Sequence, residues 1–415
     1  MKLLFLAHRI PFPPNKGDKI RAFNVLRYLA ARHEVYLACL VDDPADLGEW
    51  SELRALVAGI VFERIHPSLR RAAALAGIFG PQPVSVRYFH RPRLQSRIDE
   101  LIEREQIEAF YCSCSPMAEY LFRSRHASGR IGCAVRVMDL IDVDSFKWQQ
   151  YAERSGPLAA WIYTREARQL AAYEERIAAL CARVLVVSEQ EKSYFPAAAY
   201  AGKLTAMPNG VDLEFFRPRG AERTSETAIV FTGVMDYWPN VEGVSWFVDR
   251  VFPLIRARMP HVHLLIVGSR PTAHVRRLAQ RRGIEVTGYV EDVRSYIERA
   301  GVCVAPLRIA RGIQNKILEA MAMGKAVVCT PEAFEGIRAQ DGRDLVVADG
   351  EEAFATATIR LLEDTEAARQ IGRAARLCVE AFYSWERNLG ILEEILPASL
   401  RSNHDQPEPA CARPA

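Results

Sequence analysis

The chain has 415 residues, 49% of them apolar and 25% charged, and a formal net charge of +3. That length exceeds one comfortable hydrophobic core, so two domains of similar size are expected. The near balance of 54 basic and 51 acidic residues gives no global reason to expect nucleic-acid binding, and no nucleic-acid partner is expected. Apolar runs are of strand length, short of the roughly 20 residues a membrane span needs.

Met1-Lys2-Leu3 runs straight into a strand pattern rather than a cleavable leader. Nine scattered cysteines, an odd number, read as reduced thiols, and a cytoplasmic protein is expected. Cys112 and Cys114 are spaced C-x-C, but no second pair or nearby His completes a zinc site. They are expected to be buried strand residues.

In chain order, residues 2–7 read as a buried strand, 18–32 as an amphipathic helix and 34–41 as a second strand. Further strands are expected at 109–113, 134–138 and 184–188. After Pro208-Asn209-Gly210 a second series begins. Strands at 229–233, 263–268, 286–288, 302–306 and 326–329 alternate with helices at 241–259, 272–282, 293–299 and 313–323. Helices follow near 351–363 and 365–381, and a last one near 386–395. Residues 399–415, rich in Pro and polar side chains, read as a disordered tail. Such alternation predicts an α/β class built from two doubly wound, Rossmann-like parallel sheets. The expected domains are 1–205, with the helix at about 385–398 packing back on it, and 206–384. In open parallel sheets ligands bind beyond the carboxyl ends of the strands. A cleft between the two domains is therefore the expected site of chemistry.

The densest chemical signal is Arg308-Ile-Ala-Arg-Gly-Ile-Gln-Asn-Lys-Ile-Leu-Glu-Ala-Met-Ala-Met-Gly-Lys325. Gly312 precedes a helix whose first turn holds Lys316 and no carboxylate before Glu319. A helix start offers free N–H groups and partial positive charge, a cradle for phosphate. Glu319, one turn deeper on the same side, could accept from ribose hydroxyls. A Lys316–Glu319 pair on a solvated face is the alternative.

This stretch resembles the donor-binding segment of family 4 glycosyltransferases, a Glu, seven residues and a second Glu, then Ala-Met-Ala-x-Gly-Lys-x-Val. The resemblance extends to Val187-Ser188, Pro208-Asn-Gly-Val-Asp212 with Phe216, Val267-Gly268 and Val286-Thr-Gly-Tyr-Val290. More narrowly, Thr232-Gly-Val-Met-Asp-Tyr-Trp-Pro-Asn240 and Arg311-Gly-Ile-Gln-Asn-Lys316 resemble the sugar transferases associated with PEP-CTERM/EpsH-type exopolysaccharide clusters. The resemblance implies a GT-B fold, a nucleoside diphosphate-sugar donor, retention of anomeric configuration and no metal or other cofactor. It implies donor contacts from Gly233, Asn240, Gly268, Gly312, Ile313, Gln314, Asn315 and Glu319, with base contact near Tyr289 and Val290. The acceptor is expected to be a glycan or a lipid-linked sugar in cell-surface polysaccharide synthesis. A sugar-nucleotide epimerase and a non-catalytic nucleotide-sugar binder are the competing functions.

Two departures sharpen the expectation. The first Glu of the pattern falls on Arg311, and the basic pair usual after the first strand of the second domain is missing from Gly233–Asn240. Arg311 and Lys316 are therefore expected to meet the diphosphate charge.

In the first domain, Gly17 matches the glycine loop that family members turn toward the donor phosphate, with Lys16 and Lys19 adding charge and Asp18 capping the helix. Asp139 falls where many members carry a His near the reacting sugar, and is the candidate reacting carboxylate. Asp142, Asp144 and Asn209 are the acceptor-side candidates. Asp142-x-Asp144 matches a metal-binding D-x-D only superficially, and capping or acceptor binding is expected of it instead. His8 and His33 are expected to be structural. Arg64 to Ile98 carries seven arginines (64, 70, 71, 87, 91, 93, 97) and no acidic residue, interleaved with Leu69, Leu75, Ile78, Phe79, Tyr88 and Phe89. That pattern suits docking on an anionic membrane, with the protein peripheral on the inner face of the cytoplasmic membrane. A solvated basic face or an acceptor-diphosphate site is the alternative.

Overall fold

The computed structural model describes residues 1–14, 16–48, 50–66, 77–153, 155–218, 227–310 and 312–397. Arg311, Leu69, Arg70, Arg71, Leu75 and the expected tail lie outside the described residues. The chain forms two compact units, Met1–Met207 together with the chain from Leu389, and Pro208–Asn388.

The first unit is built on a seven-stranded sheet ordered β3-β2-β1-β4-β5-β6-β7. Its strands are β1 Lys2–Ala7, β2 Glu34–Val41, β3 Gly59–Arg64, β4 Ala109–Ser113, β5 Val135–Ile141, β6 Arg183–Val186 and β7 Leu204–Ala206, every neighbouring pair parallel. Continuous apolar runs such as Leu3-Leu4-Phe5-Leu6 are buried on both faces, as a parallel sheet covered by helices requires. One face packs Leu4, Leu6, Phe110, Cys112 and Met138 against Ile98, Leu101 and Ile102 of the helix Pro92–Glu105. Cys112 is fully buried and burial pushes its thiol up, an inert core cysteine.

At the carboxyl ends of β4 and β5 the backbone is strained. Cys114 has φ 82° and Ile141 φ 71°, the latter beside a register shift between Asp139 and Ile141. A β-branched residue in the left-handed region is an outlier. Such strain costs on the order of 1–3 kcal/mol per residue and clusters at functional sites.

The second unit carries a six-stranded parallel sheet ordered β10-β9-β8-β11-β12-β13. The strands are β8 Ala228–Thr232, β9 His263–Val267, β10 Ile284–Gly288, β11 Val302–Ala305, β12 Val327–Cys329 and β13 Val346–Val347. The helix expected at 241–259 starts earlier, at Trp238, and contains a π turn over Phe247–Val251 before continuing as Phe252–Arg258. Pro253 has no N–H to continue the α-helical pattern, which accounts for the irregular turn just before it. The helix expected at 313–323 is Asn315–Ala322.

The end of the chain returns to the first unit. Glu393, on the helix Ile391–Ile395, accepts from Tyr28 Oη at 2.7 Å and Arg32 Nε at 2.8 Å. Among the described residues no helix is long and apolar enough to cross a membrane.

Candidate functional site

In the second unit, the loops leaving β8 and β9 press against each other. Gly233 N donates to Val267 O at 3.0 Å and Met235 N to Ser269 O at 2.8 Å. A Cβ on Gly268 would lie 1.7 Å from the Gly233 carbonyl oxygen, so only glycine permits this approach. Beside them the helix Asn315–Ala322 begins, preceded by Gly312 at φ 62° and by Gln314, whose side chain donates to Gly312 O at 3.1 Å. Ile313 is buried under this turn.

Lys316 reaches back from the first helical turn to the strand ends. Its ammonium donates to Asn240 Oδ1 and lies 4.7 Å from the centre of the Phe231 ring. A Cβ on Gly233 would sit 3.3 Å from that ammonium. Asn240 is fixed in turn by donating to Val234 O at 2.9 Å. The cation missing from Gly233–Asn240 in sequence is therefore supplied there in space, from a helix 76 residues further on.

The Lys316–Glu319 pair considered as an alternative does not form: Lys316 points to Asn240, and no described residue donates a side-chain hydrogen bond to Glu319. Both groups are half-buried. Desolvation lowers Lys316 to about 7 against the pull of the Glu319 charge, and raises Glu319 to about 7 against that of Lys316. An ammonium held poorly solvated beside a helix start and two glycine loops is arranged to receive an anion.

Asn209, expected on the acceptor side, belongs to this same cluster. Its Nδ2 donates to Asn315 Oδ1 at 3.4 Å, and Asn388 holds its carbonyl at 3.1 Å. Tyr289 and Val290 follow β10, where Gly288 turns at φ 74°; Tyr289 is 77% exposed and Val290 half-buried.

The first unit corrects several expectations. Asp139, the candidate reacting carboxylate, is 1% exposed. Arg21 Nε and Nη2 hold its two oxygens, each at 2.8 Å, and Tyr111 Oη donates at 2.7 Å. Arg21 also donates to Met207 O at 2.8 Å. A carboxylate saturated in this way fixes the first helix to the middle of the sheet and is in no position to receive a substrate proton. Lys19 is likewise committed, to Asp46 at 2.7 Å with both side chains buried. Asp18 does not cap its helix; Arg9 Nη1 at 2.7 Å and His8 Nε2 at 3.1 Å occupy it and hold its carboxyl well below the usual range against the opposing effect of burial. Lys16 stands at the helix N-cap, half-buried, with Gly17 exposed beside it.

Asp142 and Asp144 open the helix Asp144–Glu153. Asp144 accepts from Ser115 Oγ at 2.7 Å. The turn itself is held from elsewhere, by Glu191 on Val143 N at 2.8 Å and by Glu174 on Ser145 N at 3.0 Å. Glu174 is fully buried, and desolvation lifts it to about 8. Its role is invisible in sequence because it lies 29 residues from the turn it holds. Among the described residues no three His, Cys, Asp or Glu side chains group as a metal site.

Of the arginine-rich stretch, Arg91 pairs with Glu63 at 2.6 Å, Arg97 donates to Phe62 O at 2.7 Å and Arg87 to Gly77 O at 3.4 Å. Phe79 is 88% exposed and stands 6.2 Å from Trp161, itself 51% exposed, with Leu158 exposed one turn before it.

Residues 226–364, about a third of the chain, match the family described as Glycosyl transferases group 1. A GDP-mannose-dependent monoacylated alpha-(1-6)-phosphatidylinositol monomannoside mannosyltransferase of Corynebacterium glutamicum is 29% identical over 200 residues, 43% of this chain. The chain spans 52% of that relative's length and 39% of another curated relative, about half or less of each. The sucrose-phosphate synthase of Thermosynechococcus elongatus superposes with a TM-score of 0.69 at 18% identity, over 95% of this chain and 98% of that one. The Anabaena HepE protein in complex with UDP superposes with a TM-score of 0.67 at 15% identity, over 95% and 99%. Residues 226–364, the stretch that matches this family, thus lie within a GT-B fold of two Rossmann-like parallel-sheet units.

Proposed function

We propose that this protein transfers a sugar from a nucleoside diphosphate donor to a hydroxyl of a glycan or lipid-linked acceptor, with retention, in the synthesis of a cell-surface polysaccharide. The observation that carries the reading is the Lys316 ammonium, delivered to Gly233 at the start of the helix Asn315–Ala322. The HepE protein has also been solved in complex with UDP-glucose, which supports a nucleotide-sugar donor for the shared fold.

In this reading the sugar C1–oxygen bond to the β-phosphate breaks, and the acceptor oxygen bonds C1 on the same face. The acceptor proton passes to the departing phosphate oxygen. Charge grows on the diphosphate as it leaves, and preorganised donors aimed at that charge lower the barrier. Lys316 and the helix N–H groups supply them, Arg311 is assigned to the same charge from its place in the sequence, Glu319 accepts from the ribose, and Tyr289 with Val290 border the base. No metal is assigned a role. Asp139 keeps Arg21 and the first strand–helix turn in place, so Lys16 and Gly17 present a fixed edge. Asp142 and Asp144 are left as the acceptor-side carboxylates.

The test is NMR of the purified protein with uridine, guanosine and adenosine diphosphate sugars, with and without an extract of lipid-linked glycans. Acceptor-dependent release of the nucleoside diphosphate, with the product's anomeric configuration matching the donor's, is expected. Donor isomerised without acceptor would establish an epimerase instead, and binding without turnover a sensor.

A peripheral membrane position at the inner face of the cytoplasmic membrane is part of the proposal, supported by the exposed Phe79–Trp161 pair flanked by a chain segment free of acidic residues. Salt-sensitive co-sedimentation with phosphatidylglycerol vesicles, lost in F79S/W161S, is the expected result. Equal sedimentation of the variant and the wild type removes this position.

A further inference from the structure

We propose that Arg270 is a second cation of the donor site and binds the α-phosphate of the nucleotide. The inference rests on the nucleotide-sugar reading of the second unit and adds to it a residue outside every recognised motif. Across the carboxyl edge of that sheet the strand order is β10, β9, β8, β11. Beyond β10 stands Tyr289, beyond β8 Gly233, and beyond β11 the helix that carries Lys316. Strands are spaced by about 4.8 Å, so β10 to β11 spans roughly 14 Å. A nucleotide with its base at Tyr289 and its terminal phosphate at Lys316 must pass the end of β9 between the two, and its α-phosphate lies on that path. Arg270 is the charged side chain in the loop that leaves β9, three residues past Val267.

Its backbone is held where an ordinary loop would relax. Arg270 has φ 56°, in the left-handed region that costs most residues energy. It also precedes Pro271, which presses the residue before it toward extended backbone. Hydrogen bonds on both sides fix this conformation: Met235 N donates to Ser269 O at 2.8 Å, and Thr272 N donates to Met235 O at 3.4 Å. Both run to Met235, two residues from Gly233, so Arg270 is tied to the phosphate loop itself. Its guanidinium is 47% exposed and lies 3.9 Å from Asp236 of the same loop. Strain retained at an exposed cation, beside a site short of strand-side charge, is of the kind that collects at functional sites.

The test measures calorimetric affinity for the mono- and diphosphates of uridine, guanosine, adenosine, cytidine and thymidine. The proteins are wild type, Arg270→Ala, Arg270→Lys and Arg270→Gly, each checked by thermal unfolding. Loss of a charge-assisted phosphate contact should weaken binding by on the order of tenfold or more. In Arg270→Ala the same factor is expected for monophosphate and diphosphate, because the α-phosphate is common to both, with partial rescue in Arg270→Lys. Glycine accepts the positive φ, so Arg270→Gly should lose affinity like Arg270→Ala while melting at or above the wild-type temperature. Affinity within twofold of wild type in both Arg270→Ala and Arg270→Gly overturns the assignment and leaves the donor site standing. A diphosphate-only loss, or no rescue by lysine, also overturns it. Failure of the wild type to bind any of the nucleotides overturns the nucleotide-sugar reading and Arg270 with it.

Discussion

Replacing Lys316 with Met should make the protein more stable and less able to bind its donor, in amounts that depend on pH in opposite ways. Desolvation brings the Lys316 ammonium from its ordinary 10.5 to about 7, so folding disfavours its charged form. A base depressed in this way destabilises the fold wherever it is charged. The penalty is complete below about pH 7 and fades as the pH rises toward 10.5, because over that window the unfolded chain binds the extra proton. Each tenfold in the equilibrium is 1.36 kcal/mol, which sets a ceiling of about 5 kcal/mol. The side chain keeps contact with water and donates to Asn240, so the gain expected from Lys316→Met at pH 6 is ~1–2 kcal/mol. At pH 10.5 the two proteins should converge. For the diphosphate, a unit charge about 4 Å from the ammonium is worth up to about 4 kcal/mol near a protein surface, and a charged hydrogen bond about 1.5–3 kcal/mol. A loss of ten- to a hundredfold in affinity is therefore expected. Wild-type binding should take up a proton at pH 8 and Lys316→Met binding should not. Urea unfolding at pH 6 and pH 10, and titration calorimetry in two buffers of different ionisation enthalpy, measure both sides. A Lys316→Met protein that is less stable at pH 6 would show that Lys316 is not a buried charge, and one that binds the diphosphate as wild type does would show that it is not a phosphate ligand.

Two further predictions concern the first unit. Arg21→Met leaves the buried Asp139 carboxylate without its charged partner and should cost about 3–5 kcal/mol by urea unfolding. Adding Asp139→Leu should recover part of that loss, and an uncompensated double variant would show that the pair is not the cause. Glu174, lifted by burial to about 8, binds its proton more tightly folded than unfolded. Its contribution is therefore present below the ordinary carboxylate value and fades as the pH rises from about 4.5 through 8. Glu174→Gln keeps an acceptor for Ser145 and should flatten thermal stability across that window, becoming the more stable protein by pH 9. A wild-type profile already flat there argues against the assignment.

What the sequence made legible follows from local physics. β1, β2 and β4 announce themselves because strands buried on both faces are continuous apolar runs, and the helix Glu351–Glu363 carries a regular apolar stripe. β3, half-buried along most of its length, and β13, two residues long, carry too little pattern to be seen. The helix Pro157–Leu180 has a proline at its first position, a start signal that sequence reading could have used. In the site, Gly233, Gly312 and Lys316 were legible as a motif. Which partner each charge takes was not, because Arg21 meets Asp139 across 118 residues and Lys316 meets Asn240 across 76. A carboxylate at a strand end looks the same in sequence whether it faces substrate or a buried arginine, and Asp139 turned out to be the second kind. Arg270 carries no motif at all; only its backbone angle and its tether to Met235 set it apart.

The bond between Tyr28 and Glu393 closes a loop of 365 residues. A ribosome adding about 5–20 residues per second delivers Glu393 roughly 20–70 s after Tyr28. During that interval the first unit waits without its last helix while the whole of Pro208–Asn388 emerges. The later unit in the chain is thus the earlier one to be complete. A nascent chain stalled anywhere before Leu389 leaves Tyr28 and Arg32, at the end of the helix Gly17–Ala30, without the Glu393 carboxylate that later holds them, which makes that surface a natural place for a chaperone to hold.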